Sequence, residues 1–182
     1  MSFGIAILRA VVGGLFIGHG LQKLLGKFGG HGLDGTAGFF ESLGLRPGKV
    51  HATAAGVAET GGGALLLLGA ATPLGAAAVT GTMTVAIQKV HRPKGPWVSE
   101  GGYEYNAVLM AAVFAITAAG PGAFSLDRRE WGAGWAIAQL AAGVGGGLAL
   151  VKFAGSQASD LESPESADRF AREAETAGAS TA

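Results

Sequence analysis

Glu59 carries the most chemistry to explain. It lies within Ala52–Gly69, an otherwise apolar stretch long enough to cross a bilayer. A carboxylate there costs a few kcal/mol and calls for a partner, a proton or a water-filled cavity. The first apolar run adds Arg9, His19 and Lys23, the third ends in Gln88 and His91, and the fourth opens at Glu104. Together Arg9, His19, Lys23, Glu59, Gln88, His91 and Glu104 form the candidate polar site. His19 and Lys23 could donate to a ligand oxygen, with Glu59 or Glu104 handling protons.

Other chemistries fall away. The chain has no cysteine, which excludes thiol exchange, iron–sulfur ligation and cysteine-based zinc sites. Its four histidines form no HxxxH or HxH pair, so no metal site is expected. His19 and His91 lack a second ligand at convincing spacing, which disfavours haem. No flavin or nucleotide motif is present, no cofactor is certain, and no nucleic-acid partner is expected.

These residues need a membrane scaffold to hold them. Only 14% of the 182 residues are charged, against roughly 25% in an average soluble domain. Five apolar segments stand out, at Phe3–Leu25, Val50–Gly69, Pro73–Val90, Tyr103–Ala119 and Trp131–Phe153. Each approaches the roughly 20 helical residues that cross a hydrocarbon core. They are too long, and alternate too little, for barrel strands. The first is read as a retained span and not a cleaved leader, because no basic region precedes it.

Lys27, Arg46, Lys49, Arg92, Lys94 and Lys152 fall on one side of such a bundle. The positive-inside rule then puts the N-terminus outside and the C-terminus inside. Between the first two spans, Thr36–Leu45 predicts a short interfacial helix ended by Gly44 and Pro47. The Ser-, Ala- and Glu-rich tail predicts disorder, with a nascent helix near Ser166–Thr176.

On the first span Arg9, Gly13, Phe16, Gly20 and Lys23 share one face. Measured from a common outer plane, Arg9 lies about 9 Å deep and Glu59 about 15 Å deep, so a long arginine could bridge to the carboxylate. His19 then falls about 9 Å beyond Glu59. An Arg9–Glu59 pair could be a structural pin or a proton or ligand site. Thr80, Thr84 and Gln88 form a stripe on the third span that leads to His91. His19, Lys23, Gln88, His91, Trp97, Glu100, Tyr103 and Glu104 then come to one depth and predict a polar vestibule open to the cytoplasm.

Several segments, in this order, resemble the DoxX family of small bacterial and archaeal membrane proteins. They are Leu8-Arg9 with Gly18-His19-Gly20-Leu21-Gln22-Lys23, Phe39-Phe40-Glu41-Ser42-Leu43-Gly44-Leu45, Glu59-Thr60-Gly61-Gly62, Glu100-Gly101-Gly102-Tyr103-Glu104-Tyr105 and Gly120-Pro121-Gly122-Ala123-Phe124-Ser125-Leu126-Asp127. The resemblance covers roughly residues 4–128 and implies an all-α transmembrane four-helix bundle. On it, residues 1–128 are the bundle, 129–153 an added fifth C-terminal transmembrane helix, and 154–182 a polar acidic cytoplasmic tail. It also implies residence in a prokaryotic cytoplasmic membrane and association with redox systems, since the family is named for a subunit linked to thiosulfate:quinone oxidoreductase.

The expected role is therefore a small subunit that binds, or helps a partner bind, a quinone-like lipophilic molecule. Electrons would come from a redox protein on the cytoplasmic side, and the isolated chain leans away from being an enzyme. A non-catalytic assembly factor or scaffold is the alternative, and a small proton-coupled transporter, helped by homo-oligomerisation, the third.

Overall fold

The computed structural model describes residues 2–128 and 130–161, with side chains as far as 156. Over these residues the chain is helical, with no strand. The helices are α1 (Phe3–Leu25), α2 (Gly32–Ser42), α3 (Gly48–Leu68), α4 (Thr72–Ala86), α5 (Glu104–Ala119) and α6 (Gly132–Leu161). All but α2 fall on the five apolar segments. Two stretches, Phe3–Leu25 and Gly132–Ser156, are long and apolar enough to cross a membrane by length and composition alone.

Local signals set the helix ends. The Ser2 hydroxyl accepts from Ile5 N at the start of α1, and Gly26 stops the helix at φ 66°, a left-handed cap that glycine adopts without a Cβ clash. Pro73 sits in the first turn of α4, where its missing N–H leaves no intrahelical bond unmade. α4 does not end as an α-helix: its last turn, Ile87–His91, widens into a π-helix.

α1 and α3 cross at glycines. A Cβ built on Gly13 would lie 2.6 Å from Gly63 O, and one built on Gly20 2.6 Å from Gly56 O. Only residues without side chains allow that approach. α6 packs on α4 the same way, with Gly143 against Thr80 and Gly147 against Thr84. The core between the helices holds Val12, Phe16, Leu66, Val79, Val113 and Ile116. The outside is apolar too: Ile7 is 63% exposed, Val108 62% and Ile137 61%. An apolar exterior on that scale suits lipid, not water.

The predicted inter-span helix exists but is shifted. It begins at Gly32 and ends at Ser42, leaving Leu43 as its cap and Leu45 buried beyond it. α6 continues past the expected boundary at residue 153, because no proline interrupts Ala154–Leu161. Arg129 and residues 162–182, including the expected helix at 166–176, lie outside the described residues.

Candidate functional site

Glu59 is buried, at 4% exposure, and it is paired. Lys23 Nζ donates to its Oε2 at 2.6 Å. The expected Arg9–Glu59 pair is not formed, and helix stagger is the reason. Gly20 packs against Gly56 and Thr60, whereas Arg9 lies against Gly69 at the far end of α3. α1 thus overhangs α3, and the ten residues from Gly69 to Glu59 put about 15 Å between Arg9 and the carboxylate. The same stagger brings His19 level with Glu59, not deeper. Lys23, one turn beyond Gly20, reaches back along the helix.

Arg9 instead braces the outer loop. Its Nη2 donates to the carbonyls of Ala123 and Phe124 at 3.0 and 3.1 Å. A side chain at Gly69 would occupy the space of the guanidinium. Asp127 completes the brace by capping α4: it accepts from Ala71 N at 2.8 Å, Thr72 N at 2.9 Å and the Thr72 hydroxyl at 2.7 Å. Trp131 Nε1 adds a fourth bond at 2.8 Å.

Burial is the largest influence on the Asp127 carboxyl and pushes its pKa up. The bonds from Thr72, Trp131 and Ala71 outweigh it, so the pKa falls below the ordinary value. A depressed carboxylate stabilises the fold fully above its unfolded pKa of about 3.9, and that contribution is lost as pH falls through the folded value. Asp127→Asn is therefore expected to cost roughly 2 kcal/mol at neutral pH. In thermal melts of the detergent-solubilised protein, the gap from wild type will close below about pH 4.

Beside the ion pair lies a cavity of about 640 Å³ to which all six helices, α1 to α6, contribute lining residues. Its walls are mainly alanine, glycine, leucine and phenylalanine, the last including Phe39 and Phe40 from α2. Of the predicted site residues, His19, Lys23, Glu59 and His91 line it; Arg9, Gln88 and Glu104 do not. Gln88 Oε1 accepts from Arg92 Nη1 at 3.0 Å. Glu104 Oε1 accepts from Val98 N at 2.7 Å, pinning the loop before α5. The predicted vestibule is thus split: part joins the cavity and part shapes the loop beside it.

His51, Lys89, Tyr105 and Asn106 also line the cavity and were not among the predicted site residues. His51 was within reach of the pattern, since residues 51, 55 and 59 follow i, i+4, i+8 spacing on α3. Lys89 was not. The Thr80, Thr84, Gln88 stripe assumes an unbroken α-helix, and the π turn rotates the residues within and after it, so Lys89 takes the inward place expected of Gln88. The Lys89 side chain has no hydrogen bond or ion pair among the described residues.

The three imidazoles have defined neutral forms. His91 Nδ1 donates to Gly101 O at 2.7 Å, and His51 Nε2 donates to Arg46 O at 3.3 Å. A carbonyl only accepts, so those nitrogens carry the protons. His19 is fixed through its neighbour. Gln22 Nε2 donates to Phe28 O at 3.1 Å, which orients the amide and leaves Oε1 as acceptor for His19 Nδ1, also at 3.1 Å. In each neutral ring the second nitrogen is then a lone-pair acceptor.

No curated protein matches the chain, and no solved structure does. The family model DoxX matches residues 4–92, shorter than the 4–128 suggested by the motifs but spanning α1 to the π turn. His19, Lys23, His51, Glu59, Lys89 and His91 all fall within it. Over that segment the match is consistent with a membrane protein of the DoxX family.

Proposed function

We propose that this protein binds a quinone-like lipophilic molecule in the cavity beside Lys23–Glu59 and serves a membrane redox system as a small subunit. The supporting observation is the cavity: about 640 Å³, walled by apolar side chains, with an ion pair and three imidazoles on its lining. Such volume, with few polar groups on an apolar wall, suits a small lipophilic ligand with a polar head. In this reading α1, α3, α4, α5 and α6 cross a prokaryotic cytoplasmic membrane with the N-terminus outside. The cavity then opens in the cytoplasmic half, where a redox protein would supply electrons.

The test uses protein in lipid nanodiscs and a decyl-substituted benzoquinone, with empty nanodiscs correcting for partition. Gly146 lines the cavity and has open space beyond it, so Gly146→Trp adds bulk without displacing backbone. Wild type is expected to bind the probe above the lipid background, and Gly146→Trp to weaken binding at least tenfold while melting normally. Binding no greater than to empty nanodiscs would favour the scaffold alternative, in which Lys23–Glu59 only fixes helix register.

A further inference from the structure

We infer that the cavity prefers its ligand in a hydroxyl-bearing form, a lipophilic phenol or hydroquinone, over the quinone. This rests on the ligand-binding reading above and goes further by fixing the chemistry of the head group.

The occupied nitrogens set the preference. His19 spends its Nδ1 proton on Gln22, His91 its Nδ1 proton on Gly101, and His51 its Nε2 proton on Arg46. What each neutral ring has left is an acceptor. Glu59 is similar: Oε2 takes Lys23, and Oε1 is a further acceptor. Four cavity-lining residues from α1, α3 and the π turn thus offer lone pairs. A quinone oxygen can only accept, so it satisfies none of them. A phenolic hydroxyl donates one hydrogen bond and accepts another, and Lys89, on the same lining, is a cation able to supply the second. Sites that present unmet hydrogen-bonding groups discriminate strongly against analogues lacking the matching atom. His19 therefore acts as an acceptor for the ligand, the reverse of the donor role its residue type suggests.

The experiment compares 4-nonylphenol with its methyl ether in nanodiscs; the two share body and oxygen, but only the phenol can donate. The phenol is expected to bind at least tenfold tighter to wild type. That ratio should fall toward one in at least one of His19→Phe, His51→Phe and His91→Phe, while the ether's own affinity changes little. Equal affinity of phenol and ether for wild type, with binding still abolished by Gly146→Trp, overturns the preference and leaves the cavity as a ligand site. A ratio unchanged in all three histidine variants overturns it as well. Failure of phenol, ether and benzoquinone alike to bind overturns the ligand-site reading and this inference together.

Discussion

Lys23→Met is expected to destabilise the protein by about 3–5 kcal/mol, the usual consequence of leaving one member of a buried ion pair uncompensated. The loss will be larger than that from Glu59→Gln, because the partners differ in what they can do alone. Glu59 sits mid-helix with its side chain 6% exposed, while Lys23 is 24% exposed and one turn from the end of α1. An orphaned lysine there can extend toward the interface; an orphaned Glu59 has nowhere to go. The double variant Lys23→Met/Glu59→Gln is expected to recover most of the loss, giving a large coupling energy in thermal or denaturant unfolding in detergent. Arg9→Met combined with Glu59→Gln will be additive within a few tenths of a kcal/mol. Coupling to Arg9 in place of Lys23 would contradict the pairing described above.

Gly20→Val is expected to be comparably damaging, at about 3 kcal/mol, the upper end of overpacking costs. The added Cβ would collide with the Thr60 hydroxyl and approach Gly56 O and Thr60 N at 2.6 and 2.7 Å. Backbone cannot rotate out of the way, so α1 and α3 must separate, and with them His19, Lys23 and Glu59. The control is on the same helix: Gly18 has open space where its Cβ would be, and Gly18→Val will change stability by less than about 0.5 kcal/mol. Equal losses at both positions would point to helix propensity, not to the crossing.

Much of the scaffold was legible because membrane helices advertise themselves by length and composition. The buried face of α1, with Arg9, Gly13, Phe16 and Gly20, followed from periodicity alone. The ion pair did not. Depth in a span can be counted in residues, but the stagger between two helices depends on which glycines meet, and several spacings of Gly13, Gly20, Gly56 and Gly63 are compatible with the pattern. That one unknown assigned Glu59 the wrong cation and set His19 apart from it. Asp127 was missed differently: its role depends on a loop folding back over α4, a contact 55 residues away in sequence that no local signal reports. The motif residues Gly101 and Glu104 were recognised as a unit. The structure accounts for them as the loop that receives His91, with Gly101 at φ 78° presenting its carbonyl.

The π turn at Ile87–His91 makes the lining sensitive to chain length, not only to side-chain identity. The π turn holds one residue more than an α turn, and the residues after it stand one place back from their α-helical positions, so removing Lys89 would restore α-helical spacing, return its inward place to Gln88 and leave His91 beside Gly101. Every side chain of the bundle before that point would stay in place. Such a deletion is a frame change in the angular sense, capable of rewriting which head groups the cavity accepts while leaving α1, α3 and the body of α4 as they are.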